Sequence, residues 1–133
     1  MARRVIDHNV VLGLWHGRGP NGKPVRSEEI ARQAVCDWLR QHPEDGLVTP
    51  VRLEFLAGTK NREEQRLGDL FLDGFPLFDG GRVLVEDWIA AERFARRIRG
   101  TGRARGVIDC LILALCERLH ADLYTLDKGA RLH

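Results

Sequence analysis

This sequence predicts an α/β domain with a mainly parallel sheet, and three observations carry that expectation. Short strand-like runs at Val5-Ile6, Leu47-Val48 and Leu123-Tyr124-Thr125-Leu126 alternate with longer stretches whose apolar residues recur at helical spacing. The segment from Gly106 to Asp127 is a nearly all-apolar helix, a short turn and a strand, which is one such alternation written compactly. No internal repeat, low-complexity tract or linker interrupts the series. Strands separated throughout by helices favour parallel pairing.

Bulk properties agree with one soluble globular domain spanning residues 1–133, long enough to bury a real core. The formal net charge is only +2, so bulk charge argues for no general nucleic-acid affinity, and the distribution of charge must carry any such case. Cysteines are odd in number (Cys36, Cys110, Cys116) and lie in helix-like apolar runs, which predicts reduced, buried thiols rather than a disulfide framework. Cys116 and His120 are one helical turn apart, but no second pair completes a zinc site, and ordinary core residues are the preferred reading. The N-terminus lacks the apolar core of a signal peptide, and no apolar run reaches membrane-spanning length. A cytoplasmic protein is expected.

In order along the chain, Val5-Ile6 forms a buried strand that ends at Asp7, with a turn or helix start immediately after it. Asp7-His8-Asn9 suits both a helix N-cap and a functional strand-to-helix junction. His16 to Pro24 is a loop punctuated by glycine and proline and carrying Arg18 and Lys23. Ser27 caps the next helix, Glu28 and Glu29 complement its dipole, and Ile30, Ala34, Val35, Trp38 and Leu39 share one face. Leu47-Val48 is a minimal second strand closed by Thr49-Pro50. A short helix, Val51 to Gly58, then carries Glu54. Asn61 and Glu64 stand at capping-box spacing at the start of a helix that runs to Leu72. The third strand is either Phe75 to Phe78 or Arg82 to Val85, divided by an Asp-Gly-Gly turn. From about Glu86 to Arg99 a helix places Trp88, Ala91, Ala95 and Ile98 on one face. Six arginines fall between Arg93 and Arg105. They read either as a solvated helix face with a flexible turn or as a positive patch in which Arg99, Arg103 and Arg105 contact phosphates.

Four acids share one property. Asp7 ends the first strand and Asp127 the last, Glu54 lies on the helix after the second strand, and Asp109 begins the helix before the last strand. In a parallel sheet, strand ends and the helix starts that follow them lie along one edge, so the four carboxylates can converge there. Asp109 stands at the head of a helix that is apolar all round, and a buried carboxylate must be neutralised, hydrogen-bonded or paired. Without compensation, each like charge in such a cluster raises its neighbours' pKa values. A divalent cation resolves the repulsion, and an all-oxygen set suits Mg²⁺ or Mn²⁺. An ion held by carboxylates beside a basic patch suggests metal-dependent phosphoryl chemistry by metal-activated water.

Four segments carry a resemblance: Val5-Ile6-Asp7-His8-Asn9-Val10-Val11-Leu12, Thr49 to Gly58, Gly106-Val107-Ile108-Asp109, and Ala121 to Lys128. In their order and separation they are similar to the PIN-domain ribonucleases, most closely the VapC toxins of prokaryotic toxin–antitoxin pairs. The resemblance implies a three-layer α/β/α sandwich around a parallel sheet and a Mg²⁺- or Mn²⁺-dependent endoribonuclease. It maps the family's acids onto Asp7, Glu54, Asp109 and Asp127, with Asn9 and Thr125 at supporting positions. On this reading Asp7, Asp109 and Glu54 hold the main metal, and Asp127 completes the pocket or a weaker second position. The resemblance further implies a homodimer, an RNA target (tRNA or rRNA), and a VapB-like antitoxin whose basic side chain reaches the acids.

Three departures stand out. His8 takes the place of a small residue, the loop from His16 to Pro24 is long and glycine-rich, and the segment after Asp127 leaves the final strand short or absent. Two alternatives remain beside the toxin reading. One is a housekeeping RNA-processing nuclease without an antitoxin, and the other is an inactive domain whose carboxylate pocket only binds.

Overall fold

Val5 and Ile6 are fully buried, and the strand that carries them, β1 (Arg4–Ile6), is the middle of a three-stranded parallel sheet. The computed structural model describes residues 2–97 and 106–126. Strands β2 (Asp45–Gly46) and β3 (Asp122–Tyr124) flank β1 in the order β2-β1-β3. Arg4 lies opposite both Asp45 and Asp122, and Ile6 opposite Tyr124. The first and last described strands are therefore neighbours, as an edge shared by Asp7 and the residues after β3 requires.

The second strand lies two residues earlier than expected. Asp45 and Gly46 are poor strand formers, yet Asp45 is fully buried and completely engaged. Arg4 grips its carboxylate through Nε at 2.7 Å and Nη2 at 2.8 Å, and Trp38 Nε1 donates to it at 2.8 Å. Bidentate pairing of this kind compensates the burial of the charge. Gly46 is required by a close approach, since a Cβ there would lie 2.5 Å from the Phe78 ring and 2.8 Å from Pro76 O. Of the two candidates for the third strand, the Phe75–Phe78 run contributes only a single parallel bridge, Leu47 to Leu77. The Arg82–Val85 candidate is not a strand, and Val85 opens a helix instead.

Between the strands run α1 (His8–Trp15), α2 (Glu28–Gln41), α3 (Thr49–Ala57), α4 (Arg62–Asp73), α5 (Val85–Ala95) and α6 (Val107–Leu119). Helices α2 and α4 start as expected: Ser27 Oγ accepts from Ile30 N and Asn61 Oδ1 from Glu64 N. Helix α3 begins at Thr49, two residues before the expected Val51, and its N-cap Val48 has no side chain able to cap it. Asp79 does so from the Asp-Gly-Gly turn, accepting from Thr49 N at 2.9 Å and Thr49 Oγ1 at 3.0 Å.

Helix α5 differs from expectation in phase. Asp87, Ala91 and Phe94 face inward, whereas Trp88 is 53% exposed and Ala95 is also exposed. Ile98 lies outside the described residues. Asp87 can point inward because it accepts from Leu84 N at 2.8 Å and from Arg118 Nε at 2.7 Å on α6.

Helices α1 to α4 pack among themselves, α5 packs on α6, and α3 touches α6 across the domain, giving the α/β/α arrangement. Every residue of α6 from Cys110 to Cys116 is buried, so the apolar helix is core as expected. Burial pushes the Cys116 thiol up to about 12, which makes it an inert core group. Cys36, by contrast, is exposed rather than buried. Among the described residues no helix is long and apolar enough to cross a membrane.

Candidate metal centre

Asp7 occupies the step from β1 to α1 with an extended backbone and is the N-cap of that helix. Both of its carboxylate oxygens are fixed. Oδ1 accepts from His8 N at 2.8 Å, and Oδ2 accepts from the Thr125 hydroxyl at 2.8 Å. Thr125 is fully buried just past β3. Asn9 braces the same junction: its Nδ2 donates to Thr125 Oγ1 at 3.1 Å and its Oδ1 accepts from Leu126 N at 3.1 Å. Each Asp7 oxygen keeps a lone pair beyond these bonds, so the carboxylate is oriented without being used up.

Glu54 arrives on α3 and Asp109 on the first turn of α6. One carboxylate oxygen from each of Asp7, Glu54 and Asp109 lies within 4.8 Å of the others. Asp109 is half-buried rather than fully buried, because the enclosed part of α6 begins one residue later at Cys110. Gly106, the N-cap of α6, leaves room for this carboxylate, since a Cβ there would lie 3.1 Å from Asp109 Oδ2.

The cost of gathering these acids falls on Glu54. Burial, then the charges of Asp109 and Asp7, push its carboxyl up to about 7. Glu54 Oε1 is buried with no hydrogen-bond partner. A buried acceptor without a donor is expensive, and a cation held among the three carboxylates could satisfy it. The other Glu54 oxygen, Oε2, lies 3.6 Å from His8 Nδ1. Burial holds the His8 imidazole below its usual pKa, against the opposing charge of Asp7. The donor set is all oxygen and anionic, which fits a hard divalent cation.

The structure thus brings together three of the four expected acids and builds Asn9 and Thr125 around the first of them. Asp127 lies outside the described residues, as do Arg99, Arg103 and Arg105, so the expected fourth acid and phosphate contacts fall there. Within the described part of the arginine run, Arg93 pairs with Glu117, Arg96 pairs with Glu92, and Arg97 stacks over Phe94 at 4.8 Å. Those three behave as structural surface residues. Two residues of the site have no role assigned from sequence. His8 stands there only as a departure, and in the fold it abuts Glu54. Asp79 stands there only as part of a turn, and in the fold it caps the helix that delivers Glu54. The available signal for Asp79 is the missing cap before Thr49-Pro50.

Comparison with protein-family models matches the PIN domain over residues 5–132. A search of curated proteins returns no match.

Proposed function

The chain belongs to the PIN domain family, and from that premise we propose that it is a Mg²⁺- or Mn²⁺-dependent endoribonuclease acting as the toxin of a toxin–antitoxin pair. Members of the family are in general metal-dependent nucleases, and the acidic triad here can bind such a metal. The observation that carries the nuclease reading is the clustering of the Asp7, Glu54 and Asp109 carboxylates, with Glu54 Oε1 buried and without a hydrogen-bond partner.

When bound, a hard dication supplies charge neutralisation at the scissile phosphate and lowers the pKa of water. The chain's own residues do the rest. Asp7, Glu54 and Asp109 would hold the ion, and Asp127 would complete the pocket or a weaker second metal position. Thr125 and Asn9 fix the direction of Asp7. Burial and the charges of Asp109 and Asp7 raise the Glu54 carboxyl to about 7, so ion binding there would favour its ionised form. Arg99, Arg103 and Arg105 are assigned to the RNA backbone.

The toxin role, the homodimer, a tRNA or rRNA target and a VapB-like antitoxin are supported by the four motif segments in register, and a cytoplasmic location by the free cysteines. Two experiments test the proposal. Purified protein should cleave RNA only with Mg²⁺ or Mn²⁺, and Asp109→Asn should abolish cleavage with its thermal unfolding intact. Unchanged cleavage by that variant would sink the site assignment. Expression in cells should arrest growth, with rescue by a small neighbouring gene. Normal growth with an active nuclease would leave an RNA-processing enzyme in place of a toxin.

A further inference from the structure

We propose that the cavity between α1, the end of α3 and the start of α4 is a nucleobase subsite, which takes one unstacked base beside the scissile phosphate. This rests on the nuclease reading. The cavity measures about 260 Å³, below the range usual for drug-sized ligands and suited to a single ring system. His8, Leu12 and Trp15 recur at helical spacing along α1 and form one wall, with Phe55 from α3 against them. The Trp15 and Phe55 rings meet edge-on at 5.1 Å, and His8 meets Phe55 edge-on at 6.5 Å.

The position of this cavity follows from His8. The imidazole lines the cavity and also lies 3.6 Å from Glu54 Oε2, so one side chain forms the partition between the cavity and the carboxylate cluster. A base held on one side therefore places its phosphate toward the other. The rim is polar: His16 and Lys60 are exposed there, and Glu64 contributes a carboxylate. Thr59 lines the cavity too, but its hydroxyl is committed to Leu56 O at 2.6 Å. Single-stranded RNA is recognised in this way, by splayed bases packed on aromatic or imidazole rings, with polar groups reading their edges. An ionised carboxylate only accepts, so Glu64 favours a base that offers adjacent N–H donors. Guanine presents such a pair, and uracil has one N–H alone.

The test walks a single abasic nucleotide along an oligoribonucleotide that the protein cleaves in Mn²⁺. One position next to the scissile bond should cost about tenfold or more in rate. Gly58 lines the cavity with φ −90°, and a Cβ added there would meet no atom closer than 3.5 Å, so it admits a side chain without strain. Gly58→Leu should reproduce the abasic loss and add nothing to it, and Lys60→Ala should weaken cleavage in the same register. Independently of cleavage, the Trp15 indole N–H resonance, assigned with Trp15→Phe, should shift in metal-free protein with GMP at lower concentration than with UMP. RNA cleaved equally at every abasic position, with an unmoved resonance, overturns the subsite while the nuclease stands. Failure to cleave any RNA overturns the nuclease reading, and the resonance still judges the cavity. A resonance moved by N-acetyl-tryptophanamide but by no nucleotide overturns the proposal in favour of a partner protein's side chain.

Discussion

The Thr125 hydroxyl donates a 2.8 Å hydrogen bond to Asp7 Oδ2 across a separation of 118 residues. It is oriented in turn by Asn9 Nδ2. Groups that orient a ligand are worth roughly 10- to 100-fold in metal affinity or activity. Thr125→Val keeps the shape and removes the donor, so Mn²⁺ affinity should fall by about that factor, while Thr125→Ser should retain most of it. Titration calorimetry checks this, and equal affinities for threonine and valine would show that Asp7 needs no brace.

Glu54 makes metal-free stability depend on pH. Its carboxyl lies at about 7 in the folded chain against an ordinary value of 4.5. A raised folded pKa means that the stabilising contribution is fully present below about 4.5 and is lost as pH rises through about 7. Glu54→Gln removes the ionisation, so its metal-free Tm should exceed that of the parent by roughly 3 °C or more at about pH 8. At about pH 5 the advantage should vanish. Thermal scans at the two pH values decide it, and a glutamine variant less stable at both would contradict the assigned shift.

The same group links metal binding to protons. Loading the site requires Glu54 to be ionised, so apparent Mn²⁺ affinity should climb most steeply between about pH 6 and 8 and binding should release a proton. Calorimetry in buffers of different ionisation enthalpy measures that release directly. Binding that is flat across this window would mean that Glu54 does not hold the ion.

Asp79 holds the start of the helix that presents Glu54. Asp79→Ala removes the acceptor for both Thr49 N and Thr49 Oγ1 and should cost about 1–2 kcal/mol. Urea unfolding reads the loss, and Asp79→Asn should recover part of it.

Arg4 neutralises a carboxylate that has no access to water, since Asp45 is fully buried. Removing one partner of such a pair typically costs about 3–5 kcal/mol. Arg4→Met should therefore destabilise strongly, and adding Asp45→Asn should restore part of the stability by removing the stranded charge. Denaturant midpoints for the two variants test the coupling.

The parts legible in the sequence are those where local chemistry and tertiary demand agree. Asp7 follows two buried apolar residues, and Ser27 and Asn61 are good caps, so the chain announces those junctions. Helix α6 is apolar all round and sits in the core. Legibility fails where a distant partner overrules a local preference. Asp45 can occupy a strand because Arg4 and Trp38 reach it, and neither is visible from the Asp-Gly dipeptide. Trp88 faces outward and Asp87 inward because Arg118, 31 residues later, compensates the aspartate. The triad itself is readable as a set of positions along one sheet edge. The strain concentrated on Glu54 is not, because it depends on the spacing of oxygens that only folding fixes.

The strand order β2-β1-β3 also has a consequence for how the protein is made. Asp7 emerges early in translation, but the hydroxyl that aims it comes from Thr125, and β1 stays open on that flank until β3 docks. Contacts this far apart in sequence form late and slowly. For an enzyme of the kind proposed, synthesised among the RNAs of the translation machinery, the hydrolytic centre is thereby left unfinished until residues 122–125 fold back.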